Sequence, residues 1–374
     1  MVYKIAVVVP KYGLIGGGER FVQELTERIA ENHCYDVHVF ANKWRSRSGH
    51  ITFHKVPVIS FPRFLTTVSF AWFANRRIAK MNFDLIHTHD RIFHADIFTM
   101  HSVPHQFWVR EVRKKHVSPF DYVTSWVEKC LIKNGMCRMF LPVSGIAKEK
   151  FLQEFSVDPG KVQVIHPGVD IGRFNKFDRN VCRGEIRKHF GIGETDTVIL
   201  FVSMNFELKG LGNLMAAVAL TKSKHPSEKL KLLVVGKGNE NKYKRLAQKL
   251  AIEDDVIFTG TWINNIEMIY LSSDFFAMPS EFDTFGMVFL EAMSASLPVI
   301  VSNNVGAKDL VRDGVNGFVV DSEDVDLISS KIVLMLDKEA RAKMAREAYR
   351  VAEQNTWDHV SEKVLKIYNR IIDE

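Results

Sequence analysis

Cysteine is scarce in this sequence: four in 374 residues (Cys34, Cys130, Cys137 and Cys182), none in a C-x-x-C pair or at a regular spacing. That excludes a disulfide framework and a zinc ribbon, and it fits a reducing cytoplasm. Long apolar runs are also missing. The stretch "FLTTVSFAWFA" (64–74) is too short to cross a bilayer. The opening "MVYKIAVVVP" has one Lys and a short apolar run before Pro10, which predicts a first buried strand and not a signal peptide. There is no internal repeat and no low-complexity tract. Histidines crowd residues 87–105 (His87, His89, His94, His101 and His105). No H-E-x-x-H or comparable ligand spacing goes with them, so no metal site is expected.

What is present is an ordinary globular composition, 46% apolar and 25% charged, on a chain long enough for two domains. Charge is unevenly shared: residues 1–170 carry a net +8 and residues 171–374 a net −2. The basic first part suits an anionic partner, whether a phosphate-bearing acceptor, a membrane surface or nucleic acid.

Short β-branched runs alternate with helical patterns along the chain. Strands are expected at 3–9, 36–40, 84–88, 139–143, 161–165, 197–202, 230–235, 256–259, 274–278, 298–301 and 317–320. Helices are expected at 19–32, 144–155, 210–223, 239–251 and 286–295. This order predicts βαβ units and parallel sheets. The segment "HPGVDIGRFNKFDRN" (166–180) interrupts it and reads as a linker. Two α/β domains are therefore expected, 1–170 and 171–355, their strand carboxyl ends facing a ligand cleft. Residues 356–374 form an amphipathic helix with Trp357, Val360, Val364, Ile367 and Ile371 on one face.

Three segments carry chemistry. In "KYGLIGGGERFVQEL", Gly16, Gly17 and Gly18 open a helix; they either cradle a phosphate on free N–H groups or make a tight turn. The spacing is not G-x-G-x-x-G, and "DVHVFANK" lacks the ribose-binding acid of a dinucleotide fold. In "LFVSMNFELKGLGNLMAAV", Lys209 precedes a helix N-terminus, where the macrodipole disfavours a cation unless an anion sits there too. In "PSEFDTFGMVFLEAMS", a loop holding Glu281 and Asp283 leads into a helix that begins near Gly286 and carries Glu291. Asp283, Glu291 and the first N–H groups of that helix suit the hydroxyls and phosphates of a nucleotide sugar. The plain alternative makes Asp283 a cap and Glu291 a core acid paired to an Arg. His101 ends the run "ADIFTM" and is placed at a strand's carboxyl edge.

In this order, "GGGERFVQEL", "VIHPGVDIGRF", "SMNFELKGLGNLMAA" and "DTFGMVFLEAMSASLPVIVSNNVGAKDLVRDGVNGFVV" resemble the retaining group 1 glycosyltransferases of family four. The resemblance spans the whole chain. It implies the GT-B fold: an acceptor-binding domain, 1–170, a nucleotide-sugar-binding domain, 171–355, and a last helix, 356–374, packing back on the first. It implies that Lys209, the backbone at Gly16 and Gly17, and Arg173 hold the donor diphosphate, with Asn205 in the phosphate loop. Glu291 would bind the ribose and Phe285, Gly286, Met287 and Val288 the sugar and phosphate. Backbone from Thr261 and Trp262 to Ile263 would meet the base. Asp283 and His101 would meet the transferred hexose. Asp283 stands where relatives usually have Glu, and Met204 where they have Arg.

The implied activity is retaining transfer of a hexose, glucose from UDP-glucose, to a saccharide or glycolipid of lipopolysaccharide or another cell-envelope glycan. Neither cofactor nor metal is implied. A GT-B nucleotide-sugar epimerase, or a transferase using a GDP- or ADP-sugar, is the alternative. A nucleic-acid-binding module would leave the carboxylate block unexplained, so no nucleic acid is expected. Residues 104–133 interleave Arg110, Arg113, Lys114 and Lys115 with Phe107, Trp108, Phe120, Tyr122 and Trp126. They suit either the inner face of a membrane, approached peripherally from the cytoplasm, or a solvated cationic face over core aromatics. Asp324 and Asp326 read as caps of a late helix, and Glu281 as a loop acid.

Overall fold

The computed structural model describes residues 2–14, 16–46, 48–262 and 264–374. Contacts divide it into two compact units, residues 1–168 with 357–374, and residues 169–356.

The first unit is built on six parallel strands: β1 (Tyr3–Val8), β2 (Tyr35–Ala41), β3 (Ile51–Lys55), β4 (Leu85–Thr88), β5 (Ile97–Met100) and β6 (Met139–Pro142). Their order across the sheet is β3-β2-β1-β4-β5-β6. A parallel sheet is covered on both faces, which is why its central strands read as unbroken apolar runs; Ile5, Ala6, Val7 and Val8 of β1 are all buried. The edge strand β3, "ITFHK", buries only Ile51, and its apolar alternation, Ile51 and Phe53, is two residues long, too short to stand out. The strand expected at 161–165 is reduced to a short extended run, with Gln163 N–H on the Phe140 carbonyl and Ile165 N–H on the Pro142 carbonyl, both at 3.0 Å. A 3-10 turn at Pro159–Lys161, where Pro159 and Gly160 favour a turn, takes its first residue, and one bridge joins Val162 to Phe140.

Three helices of this unit matter below: α1 (Gly17–Glu31), α2 (Leu65–Ile78) and α3 (Pro119–Lys133). The apolar stretch 64–74 lies mostly within α2, which buries Phe70, Ala71, Ala74 and Ile78 and leaves Trp72 exposed. The second unit repeats the plan with β7 (Thr197–Ser203), β8 (Leu230–Gly236), β9 (Val256–Gly260), β10 (Phe275–Met278), β11 (Val299–Ser302) and β12 (Gly317–Val320), in the order β9-β8-β7-β10-β11-β12 and all parallel. Its relevant helices are α4 (Arg179–His189), α5 (Leu211–Lys224), α6 (Ile266–Ser272) and α7 (Met287–Ser294).

The last helix, α8 (Trp357–Asp373), belongs to the first unit. All five residues of its apolar face are buried. Trp357 meets Phe21 of α1 edge-on at 5.4 Å, Tyr35 Oη donates to Asn369 Oδ1 at 2.5 Å, and Arg138 Nη1 donates to the Ile371 carbonyl at 2.6 Å. Asp324 caps its helix by accepting from Leu327 N–H, while Asp326 is exposed. Among the described residues, no helix is long and apolar enough to cross a membrane.

Candidate active site

In the second unit the candidate residues gather beyond the carboxyl ends of β7 and β10. Gly210 has φ 73°, and a Cβ there would lie 1.9 Å from the Pro279 carbonyl oxygen. Only glycine therefore lets Lys209 come up against the loop after β10. Lys209 Nζ donates to Asp283 Oδ2 at 2.5 Å and to the Phe282 carbonyl at 3.3 Å. The anion that the helix-terminal lysine requires is thus already supplied by the protein. Asp283 is held by its backbone, with its N–H on the Asn304 carbonyl at 3.1 Å and its carbonyl accepting from Gly306 N–H at 3.0 Å. Its Oδ1 also accepts from Phe285 N–H at 3.2 Å.

Helix α7 then starts after Gly286, which has φ 85° and provides no side-chain cap. The N–H groups of its first turn, at Met287 and Val288, are the kind of donor an anion can use. Glu291, one turn further, is buried; its Oε2 accepts from Tyr270 Oη at 3.1 Å and its Oε1 lies 3.5 Å from Arg173 Nη1. Arg173 is also paired with Glu267 at 2.5 Å. The reading of Glu291 as an acid paired to an Arg is therefore met in the structure. Arg173, expected at the diphosphate, thus lies between the carboxylates of Glu267 and Glu291.

Asn205 Oδ1 accepts from Leu208 N–H at 3.2 Å and so shapes the phosphate loop, and Met204 beside it is exposed. Thr261 is exposed, whereas the Trp262 ring packs toward Phe190 and His189 at the end of α4, at 5.8 and 6.0 Å. Ile263 lies outside the described residues. Glu281 is an exposed loop residue.

In the first unit, α1 begins at Gly17 with Gly16 as its cap residue. A Cβ on Gly18 would lie 3.4 Å from His101, so the glycine run brings the helix start onto this imidazole. His101 and His89 line a cavity of about 300 Å³ with Lys11, Glu19, Asp90 and Arg91. Three of the clustered histidines form one stack: ring centroids are 4.2 Å apart for His87 and His89, and 5.3 Å for His89 and His101. His87 is bonded on both nitrogens, to Tyr368 Oη of α8 at 2.6 Å and to Thr99 Oγ1 at 2.7 Å. His89 Nδ1 meets His101 Nε2 at 3.1 Å.

Burial lowers all three rings, His87 to about 3, with the nearby His101 adding to the effect, and His101 to about 4; His89 also falls well below its ordinary value. All three are neutral at pH 7. His105 is elsewhere, its Nε2 on Asp121 Oδ1 at 2.9 Å, and His94 is at the surface beside Asn134. Burial also raises Asp90 despite the neighbouring Arg91, whose Nε donates to Glu128 Oε1 at 2.9 Å. Among the described residues, no three His, Cys, Asp or Glu side chains are grouped so as to hold a metal ion.

The sequence did not point to Tyr270, Glu267, Thr99 or Tyr368, each of which holds a candidate residue in place. Asp90 could have been found, since it directly follows the clustered His87 and His89.

Two family models match the chain: Glycosyltransferase Family 4 over residues 15–173 and Glycosyl transferases group 1 over residues 183–351. A D-inositol 3-phosphate glycosyltransferase of Rhodococcus opacus is 30% identical over 228 residues, 59% of this chain and 50% of the relative, so the match spans about half of that relative's length. An uncharacterised glycosyltransferase of Methanocaldococcus jannaschii is 26% identical over 397 residues, covering 98% of this chain and 97% of the relative. Among solved structures, WaaG, a glycosyltransferase involved in lipopolysaccharide biosynthesis, is similar with a TM-score of 0.79 at 20% identity, over 97% of this chain and 99% of that one. HepE of Anabaena, solved with UDP and glucose, is similar with a TM-score of 0.72 at 18% identity, over 98% and 99%. At such identities these structures speak for the fold alone.

Proposed function

The chain belongs to the group 1 glycosyltransferases of family 4, nucleotide-sugar-dependent enzymes of GT-B fold, and on that premise we propose that it moves glucose from UDP-glucose to a saccharide hydroxyl of a cell-envelope glycan such as lipopolysaccharide. The observation that carries this reading is the Lys209–Asp283 pair at 2.5 Å, set at the uncapped start of α7 with Glu291 one turn behind. It offers a cation and free N–H groups to a diphosphate, and carboxylates to hydroxyls.

In the proposed reaction, the bond from the anomeric carbon to the diphosphate oxygen breaks. A bond to the acceptor oxygen forms on the same face, and the acceptor proton passes to the departing diphosphate. Lys209 and the α7 N-terminus stabilise that leaving group, and no metal is assigned to the step. Glu291 takes the ribose hydroxyls and Asp283 the hexose; His101, in the first unit, is read as a hexose contact of that unit. A uridine donor is taken as part of this proposal, as in the Anabaena neighbour solved with UDP and glucose. A thermal-shift panel of UDP-, GDP- and ADP-glucose tests the donor, because a ligand stabilises the state it binds. Stabilisation by UDP-glucose is expected; GDP- or ADP-glucose acting alone overturns the choice. The anomeric configuration of the product, read by NMR, tests retention, and free epimerised sugar in place of a glycoside overturns transfer.

A peripheral membrane contact is also proposed. Tyr122 and Trp126 of α3 are exposed, as are Phe61 before α2 and Trp72 on it, and Arg63 and Arg76 lie over the Phe120 and Trp72 rings at 4.7 and 5.1 Å. Aromatics beside cations suit an anionic lipid surface. Co-sedimentation with vesicles should rise with phosphatidylglycerol content; binding that ignores it rejects the contact.

A further inference from the structure

We propose that His89 is a positioning residue: it holds His101 in the tautomer protonated on Nδ1, so that His101 meets the sugar as a neutral hydrogen-bond donor and not as a base. The inference rests on the reading above that His101 contacts the transferred hexose.

The geometry allows two arrangements of the pair. Either His89 Nδ1–H donates to the lone pair of His101 Nε2, or His101 Nε2–H donates to the lone pair of His89 Nδ1; the two nitrogens are 3.1 Å apart. The second nitrogen of His89 decides between them. His89 is buried, and its Nε2 has no hydrogen-bond partner among the described residues. If His101 were the donor, the proton of neutral His89 would have to sit on that Nε2, leaving an N–H buried with nothing to receive it. If His89 is the donor, Nε2 carries only an unshared lone pair. A buried donor without an acceptor is the rarer and costlier defect. The proton of His89 therefore sits on Nδ1, His101 Nε2 accepts it, and the proton of neutral His101 sits on Nδ1.

His101 Nδ1 has no partner among the described residues, and His101 lines the cavity beside α1. The group offered there is an N–H, complementary to a hydroxyl or ring oxygen of a sugar. Its neutrality follows from burial, which also keeps His87 and His89 uncharged behind it. Phe21 closes the stack edge-on to His101 at 4.9 Å, and His87 is fixed by Thr99 and Tyr368, so the rings have little freedom to exchange roles.

The test reads the tautomer first. Long-range proton–nitrogen NMR spectra of the full-length protein labelled with [15N]histidine, with His101 assigned by His101→Gln, should show a protonated Nδ1 on His101 and a protonated Nδ1 on His89. A protonated Nε2 on His101 overturns the proposal whatever the enzyme's activity. The second measurement is UDP release from UDP-glucose by His89→Asn, whose amide can still donate to His101 Nε2, and by His89→Phe, which cannot. His89→Phe should lower turnover roughly tenfold, the order of one lost hydrogen bond, with His89→Asn recovering most of it. Equal losses in both variants, or none in either, overturn the positioning role. UDP affinity, measured by calorimetry on the same variants, should stay unchanged. Absence of UDP binding in the unaltered protein would instead count against the glucosyltransferase reading, which separates the two failures.

Discussion

The two units share one strand order and differ in how they carry charge. In the second unit the candidate residues are ions held by ions: Lys209 on Asp283, and Arg173 between Glu267 and Glu291. In the first unit they are imidazoles that burial strips of charge, bonded to hydroxyls and to one another. A departing diphosphate gathers negative charge and needs fixed cations and dipoles. A hexose carries none and is best held by neutral donors and acceptors. One topology thus supports two chemistries, set by what the strand ends present.

The largest effect expected from breaking this contrast is at Lys209. Lys209→Ala removes the cation assigned to the leaving group, and turnover of UDP-glucose should fall roughly 10²–10³-fold. UDP affinity should fall with it, measured by calorimetry. His101→Ala, in the neutral unit, should cost turnover about tenfold, the order of one hydrogen bond, with UDP affinity and melting temperature little changed. If His101→Ala matched Lys209→Ala, the division between ionic and neutral chemistry would not hold.

Acid sharpens the comparison next. The rings of His87 and His101 bind protons in the unfolded chain near pH 6.5 but in the folded unit only near 3 and 4. The unfolded state therefore holds more protons between those values. The stability given by neutral rings is complete above pH 6.5 and is lost as pH falls toward 4. Hydrogen exchange at the amides of β4 and β5 should accelerate over this window before exchange in β7 and β10 does. Simultaneous loss of protection in both units would overturn this. The smallest effect is expected from Asp283→Glu, which lengthens one arm of the Lys209 pair. It should shift the preference among UDP-glucose, UDP-galactose and GDP-mannose by less than about tenfold, below the roughly 10–200-fold that one methylene is worth in a hydrophobic pocket, because this arm is polar and partly exposed.

How much of this was legible in the sequence follows from how far apart the partners are. Lys209-Gly210 and the block from Asp283 to Glu291 are each local, one loop and one helix start, so residue type and spacing disclosed them. The central strands were legible for the same reason, each being one short apolar run. The supports of the site were not. Tyr368 reaches His87 across 281 positions, and Glu267 reaches Arg173 across 94. No periodicity links residues so distant; the sheet order brings them together. Arg173 is the clearest case: the family resemblance implied a phosphate contact, and its two acidic neighbours, Glu267 and Glu291, show only in the geometry. The edge strand β3 escaped because its alternation rests on Ile51 and Phe53 alone, too few residues to establish a period.

The return of α8 to the first unit bears on how the molecule is made. During translation the residues of β1 to β6 leave the ribosome long before Tyr368 and Trp357 do. Until those two side chains arrive, His87 lacks one partner and Phe21 one neighbour. The second unit, continuous from 169 to 356, can complete its sheet while the first still waits. A nascent chain stalled before residue 357 would hold a finished ionic site and an unfinished neutral one.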